Sequence, residues 1–565
     1  MNSEVLLFIF LFTWNYAVPN ENGYIINVPN RCKLPNFNAY DKEVEGIFKS
    51  QPYKSCTSKG LLTFTTVKNN IATIHLNQTA LSDYYDDSEI PNCCFKYVFR
   101  NGSEYLPDVG ISFSNCTKFQ SEAALKNNTV LARCYKNSGI VYENVHNPIV
   151  ISEEIKNKTT QNNNKTKPIS VLFIVIDSVS RLNLIRTMPK TRNFLLQNGF
   201  IEMKGYNKID DNTFPNFNAL LTGFNLKQSF DNCDPTKIGM LDNCSMIWYD
   251  YRKLGYITAY AEDWASISTY NYFKKGFTKP PTDYYFKPYF EASETLPIIY
   301  QDSMPYCTGP ESAGERILNL AKDFSVTFLN EPSFGIFWMN TFSHNYINTP
   351  SGMDGKFLNF FSKLKTDGVL NEKVVIFLSD HGIRYGNIRL TNIGWFEERL
   401  PMNLISLPPW FKTKFPQETF NLRSNSKKLT STYDLYKTLQ HFLILSGKDY
   451  NETKCMGNEL CQSMLSSISK NRSCENAGVP SIWCTCYGNL SPINLTSNLV
   501  MSTSNAIVSH VGAILISIQK AVISETFDDH NYLIVTVLTQ PFNYYMGLFK
   551  VAIDSFELIR VIKLY

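Results

Sequence analysis

Four residues can do chemistry together if the fold unites them: Asp177, Thr213, Asp380 and His381. Asp177 closes the apolar run 170–177. Asp380 closes the run 373–380 and is followed directly by His381 and Gly382. Carboxylates are hard oxygen ligands and imidazole is a borderline nitrogen ligand, so the set suits one divalent ion, Zn²⁺ or Mn²⁺, with Ca²⁺ or Mg²⁺ as alternatives. Thr213 lies in Asp211-Asn212-Thr213-Phe214-Pro215-Asn216. A threonine hydroxyl has too high a pKa to attack unaided, but beside a metal it can lose its proton and act as a nucleophile. Pro215 and the apolar 219–221 predict a turn entering a helix, whose first amides stabilise anionic oxygens. Each feature alone has a plainer reading: an aspartate or threonine caps a helix, a histidine packs in an interior. Three arginines nearby, Arg384, Arg389 and Arg399, carry guanidinium forks that match phosphate or sulfate, or else form surface ion pairs.

These residues need rigid elements behind them. Runs 170–177, 333–340, 373–380 and 403–407 read as buried strands. Helical patterns fall at 190–198, 312–329, 355–365 and 431–445. Strands alternating with helices imply an α/β sheet with helices on both faces, and ligands bind such sheets at the carboxyl ends of strands, where Asp177 and Asp380 stand. No internal repeat is present. The expected organisation is a leader at 1–17, a Cys-rich domain of short strands at 18–155, a polar linker at 156–168, the α/β catalytic domain at 169–450 and a Cys-containing β region at 451–565. Runs 61–67 and 71–76, joined by Asn69-Asn70, read as a hairpin within the Cys-rich domain.

The order of strand-ending Asp177, then Thr213-Phe214-Pro215-Asn216 with Leu221-Thr222-Gly223 downstream, then Ser379-Asp380-His381-Gly382 resembles the alkaline phosphatase/sulfatase superfamily. The Thr213 stretch is similar to the nucleophile motif of its nucleotide pyrophosphatase/phosphodiesterase branch. More of the chain, including Cys32-Lys33-Leu34-Pro35, Asp380 to Gly386, Glu397 to Pro401 and Trp483 to Cys486, resembles the sulfatase-like ectoproteins catalogued as domain of unknown function 229. The resemblance implies an alkaline phosphatase-like core, with one metal ion on Asp177, Asp380 and His381 and Thr213 bridging to it. In two-metal branches a second ion uses Asp-x-x-x-His plus a later His. Here Asn340 stands where that Asp would be, four residues before His344, and His441 falls in a helical pattern. A one-metal site, like that of lipoteichoic acid synthases and phosphoethanolamine transferases, fits better. Asn340 then becomes a substrate contact, and His344 contacts substrate or protonates the leaving group. Sulfatases make formylglycine from Cys or Ser in a C/S-x-P-x-R pattern. Thr213-Phe214-Pro215-Asn216-Phe217 lacks both the oxidisable residue and the arginine, so phosphoryl chemistry is favoured over sulfate ester hydrolysis.

Hydrophobic residues make up 44% and charged residues 18%, as in an ordinary globular protein, and the net charge of +4 is too weak to imply nucleic acid. The apolar run 5–14 followed by Asn15-Tyr16-Ala17 reads as a signal peptide. Fourteen cysteines suit disulfides. Sequons occur at Asn77, Asn101, Asn115, Asn127, Asn157, Asn164, Asn243, Asn451, Asn471, Asn489 and Asn494, and all but Asn243 lie outside 170–450. The expectation is a secreted, extracellular glycoprotein without a transmembrane anchor, acting on a small-molecule, lipid or glycan ester. The alternatives are a sulfatase-like hydrolase and a non-catalytic extracellular binding protein that keeps the fold.

Overall fold

The computed structural model describes residues 23–86, 90–160, 166–524, 530–552 and 555–564; the leader at 1–17 and the sequon at Asn164 lie outside them. Its centre is a seven-stranded sheet of β1 (Val171–Ile176), β2 (Ile201–Glu202), β3 (Ile257–Glu262), β4 (Tyr284–Tyr285), β5 (Ser333–Met339), β6 (Val374–Leu378) and β7 (Asn403–Ser406). Strand order is β2-β7-β6-β1-β5-β3-β4. The pairs β6/β1, β1/β5, β5/β3 and β3/β4 are parallel. The run at 403–406 is antiparallel to β6, so the sheet is mixed.

Every β1 residue is buried because both faces of the sheet are covered. Strand alternation sends Val171, Phe173 and Val175 to one face and Leu172, Ile174 and Ile176 to the other. The expected helices are α2 (Pro189–Gln197), α4 (Ala313–Thr327), α5 (Pro350–Thr366) and α7 (Thr432–Leu445), joined by α1 (Arg181–Thr187), α3 (Thr213–Thr222) and α6 (Asn392–Arg399). Helices α3 and α7 pack on the first face, and α1, α2, α4 and α5 on the second. Helix α5 begins five residues before the expected start, because Pro350 opens it with a preset φ and the fold tolerates Gly352 and Gly355 inside it. The sequence pattern missed β3, since Thr258 and Tyr260 interrupt its apolar run.

The N-terminal part has its own core of Leu62, Ile74, Phe95, Val130 and neighbours. Its hairpin of Thr63–Lys68 and Ile71–Leu76 turns at Asn69 and Asn70, both at positive φ (51° and 60°), as an Asn-Asn pair allows. The polar stretch from 156 starts as the end of a helix, Glu153–Thr160. At the other end, an antiparallel five-stranded sheet from Leu490–Pro492 to Phe556–Leu564 carries helix α8 (Asn498–Val511) on one face. Residues 504–523, fairly apolar in sequence, divide between the end of α8 and the strand Ile514–Ser524, broken at Gly512. No helix among the described residues is long and apolar enough to cross a membrane. All fourteen cysteines pair, in seven disulfides. Two of these span long stretches of chain: Cys32–Cys486 and Cys56–Cys307. Of the ten described sequon asparagines nine are exposed; Asn77 is half-buried, its amide bonded to Leu61 and Thr79.

Candidate active site

Adjacent parallel strands β1 and β6 end beside each other, which brings Asp177 and Asp380-His381 together. The loops after them are locked by short bonds. Ser379 Oγ accepts from the Val179 amide at 2.9 Å and donates to the His381 carbonyl at 2.9 Å. Ser178 sits in the left-handed region (φ 62°), a conformation a serine adopts only when its surroundings impose it, and donates its hydroxyl to Asp177 Oδ1 at 2.7 Å. Gly382 is obligatory on packing grounds. A Cβ there would lie 2.0 Å from the Glu397 carbonyl oxygen of α6, against which the loop is pressed. That helix is tied down in turn, with Glu398 held by Lys208 at 3.0 Å and Arg389 at 3.1 Å.

Thr213 is the first residue of α3, not its cap. Asn212 holds the cap position without a side-chain capping bond, and the Thr213 hydroxyl instead donates to Asp177 Oδ2 at 3.1 Å. Asn216 fixes this approach: its Oδ1 accepts from the Ile209 amide and its Nδ2 donates to the Asp210 and Asn212 carbonyls. One ligand atom from each of Asp177, Asp380 and His381 falls within 4.8 Å of the others, all three residues being buried.

The protonation logic of this cluster calls for a cation. His381 Nδ1 donates to the Gly382 carbonyl at 2.9 Å, which leaves Nε2 as a bare lone pair. Burial, with Arg384 and Lys208 nearby, drives its pKa well below the usual histidine range, so the ring is neutral. Asp380 Oδ2 lies 3.1 Å from that Nε2, a distance that would suit an ion pair with a protonated ring. With the ring neutral, Nε2 has no hydrogen to offer, and both atoms are buried without a hydrogen-bond partner. Burial and the Asp177 charge push the Asp380 pKa up, as expected of a carboxylate facing another carboxylate without a positive charge between them. The donor set and its orphaned lone pairs fit a divalent ion.

A cleft of about 290 Å³ opens on Asp177 and Thr213. Arg384, Asn340 and His344 line it as well, so the fold unites them with the cluster. Arg384 is 3.7 Å from Asp211, and its Nε has no partner, leaving that edge for an anion. Asn340 has both ends of its amide engaged: Oδ1 accepts from Trp338 Nε1 at 3.1 Å and Nδ2 reaches Asp263 at 3.3 Å. His344 is half-buried, its Nδ1 2.7 Å from Asn345 Oδ1. Two arginines stand elsewhere. Arg389 donates to the Arg384 carbonyl at 2.8 Å and supports the loop from behind. Arg399 is fully buried, bonded to the Ile482 and Trp395 carbonyls between the Trp395 and Trp483 rings. His441 meets Ser463 at 2.9 Å and does not line the cleft.

Sequence reasoning missed one wall of the cleft. It comes from the segment after β3 and includes Trp264, Ile267, Thr269, Tyr272 and Lys274. Behind it Glu262 and Asp263 are buried, and burial raises their pKa values to about 7 and about 6. The available signal was Ile257 to Asp263, another largely apolar run ending in carboxylates.

A family model described as "Protein of unknown function (DUF229)" matches residues 49–530. No curated protein matches the sequence. Among solved structures, the chain is similar to a protein in the alkaline phosphatase superfamily from Vibrio parahaemolyticus (12% identity, 71% of this chain and 85% of that one, TM-score 0.37). It is also similar to a phosphonate monoester hydrolase from Silicibacter pomeroyi (12%, 66% and 89%, 0.37) and to the lipoteichoic acid synthase LtaP from Listeria monocytogenes (11%, 69% and 92%, 0.33). Likenesses this distant leave the chemistry to be argued from the site.

Proposed function

Starting from the fact that the chain belongs to the family described as "Protein of unknown function (DUF229)", we propose that it is a secreted, metal-dependent phosphoester hydrolase or phosphoryl-group transferase with Thr213 as nucleophile. The observation that carries this reading is the pair of orphaned lone pairs on Asp380 and His381, facing an aspartate that also accepts the Thr213 hydroxyl. One divalent ion, zinc or manganese, held by Asp177, Asp380 and His381 would supply the positive charge that lowers the threonine pKa and offsets charge on phosphoryl oxygens. A single ion is favoured because an amide, Asn340, stands where a second ion would need a carboxylate, and its oxygen accepts from Trp338 Nε1.

The chain's own groups then have distinct tasks. Asp177 Oδ2 orients the Thr213 O–H and takes its proton. Thr213 Oγ forms a bond to phosphorus as the bond to the departing alkoxide breaks, and His344 gives that alkoxide a proton. Arg384 grips the remaining phosphoryl oxygens. Water, or an acceptor alcohol, then displaces Thr213 from phosphorus and returns its proton. Disulfides throughout, with exposed sequons, support an oxidising, extracellular setting.

Replacing Thr213 with alanine tests the mechanism. Turnover of phosphodiesters should fall by roughly 10³-fold or more, about 4 kcal/mol of barrier, while bound metal persists. Thr213→Ser should keep much of the activity. Sulfate ester turnover indifferent to Thr213 would sink the mechanism in favour of a sulfatase-like one.

A further inference from the structure

The wall after β3 does more than close the cleft. Its backbone is clamped from beneath: the Ala265 amide donates to Glu294 at 2.6 Å, its carbonyl accepts from Lys287 at 2.8 Å, and the Thr269 amide donates to Glu262 at 2.9 Å. Asp108, from the N-terminal part of the chain, accepts from Asn271 at 3.2 Å and the Phe277 amide at 3.1 Å. Above this clamp the aromatic side chains are left open. Tyr272 is 51% exposed and Phe273 84%, their ring centroids 4.4 Å apart, and Phe273 is held at φ 53°, a strained conformation for a bulky residue. A rigid base under uncovered rings is a preformed binding surface.

Lys274 gives that surface a charge. Its ammonium lies 4.5 Å over the Phe214 ring and donates to the Tyr272 carbonyl at 3.0 Å. Among the described residues no carboxylate comes within ion-pair reach of it. Burial lowers its pKa to about 8, which leaves it mostly protonated at neutral pH. Position follows from topology. Strand β3 lies two places from β1, with β5 between, and neighbouring strands are about 4.8 Å apart, so the wall stands roughly 10 Å across the sheet from the strand of Asp177. Arg384, the cleft's other cation, follows β6 on the opposite side of β1.

We propose that Trp264, Tyr272 and Lys274 form a subsite for the organic part of the ester, selecting an alcohol that carries a ring and, beyond it, a second negative charge. The ring lies on the Trp264 and Tyr272 faces, and the remote anion meets the Lys274 ammonium. An acidic sugar and an acidic aryl alcohol share this chemistry. The inference builds on the reading of Thr213 as the reacting residue, but it is tested by binding, so either can fail alone.

The test uses full-length, metal-supplemented Thr213→Ala protein and calorimetry. Two matched pairs of ligands serve as probes: benzylphosphonate against 4-carboxybenzylphosphonate, and the C1-phosphonates of glucose against glucuronate. In at least one pair the carboxylated member should bind about tenfold tighter, and the pair that shows it identifies the ring. Lys274→Met should erase that preference, Lys274→Arg should restore it, and Trp264→Ala should weaken both members. Equal affinity within both pairs, or a preference that survives Lys274→Met, overturns the subsite even if phosphodiesters are turned over. Preference without turnover by the wild type would instead overturn the hydrolase reading and leave the subsite standing.

Discussion

The two ends of strand β6 bury ionisable groups in opposite ways. At its start Lys373 is 1% exposed, yet its ammonium donates to the Phe328 carbonyl and Ser333 Oγ, both at 2.6 Å. Just past its other end, the side chains of Asp380 and His381 are buried too, and each keeps an atom without a hydrogen-bond partner. Burying an unsatisfied polar atom is unfavourable by about 1–3 kcal/mol, more when it is charged. A fold bears that cost where a ligand removes it. The satisfied end works as structure and the unsatisfied end as a receptor, five residues of strand apart.

Breaking each end should give opposite signatures. The largest effect is expected at the receptor end. Asp380→Asn keeps the acceptor at Oδ1 and places an N–H toward His381 Nε2, so it should empty the metal site and abolish turnover. The metal-free variant should melt no lower than metal-free wild type. Elemental analysis and thermal melts check this, and a clearly lower melt would assign Asp380 a structural role.

A smaller effect is expected at the satisfied end. Lys373→Met strands a buried carbonyl and a hydroxyl, so stability should drop by about 1–3 kcal/mol in urea unfolding, with metal content and kcat unchanged. Loss of metal with unchanged stability would erase the contrast between the ends.

A third signature of the same end is a pH slope. Burial lowers the Lys373 pKa from 10.5 to about 7, against the opposing pull of Glu372 and Glu331. Between about pH 7 and 10.5 the unfolded chain therefore binds a proton that the folded chain does not, and the contribution of Lys373 to stability rises with pH across that window. Below pH 7 both states are protonated and the gain is absent. Unfolding measured at pH 7 and pH 9.5 should show the gap between wild type and Lys373→Met widening with pH; a constant gap would mean that Lys373 stays charged in the fold.

How much of this was readable in the sequence depended on the range of the interaction. Strands that end in Asp177 and Asp380 announce themselves by an unbroken apolar run, because both faces of the sheet are covered. The helix that opens at Thr213 was legible because Pro215 and the apolar 219–221 mark its start locally. The β3 wall stayed hidden because Tyr260 and Glu262, polar in sequence, are buried against each other by a hydrogen bond that composition cannot foresee. Arg399 read as a cation that grips substrate or else forms a surface ion pair, but Trp395, one turn before it in α6, and Trp483 from a distant segment enclose it. Pairings set by the finished fold, disulfides among them, leave no trace in local pattern.

The Cys32–Cys486 bond sets a timetable for synthesis. Its partners are 454 residues apart, so at roughly 5–20 residues per second the first thiol waits about 20–90 s for the second to be made. In that interval Cys56, Cys93 and Cys94 emerge and are nearer in sequence. Cys56 itself awaits Cys307, whereas Cys93 and Cys94 close within 41 and 22 residues. The N-terminal hairpins can thus mature while the chain is still growing, whereas the strand at Cys32–Pro35, already able to pair with Tyr24–Val28, gains its bridge from Lys33 to Tyr487 only when that residue is made. Cys32 is made long before it is fastened, and a thiol left waiting so long invites wrong partners, a task for an isomerase rather than for the sequence alone.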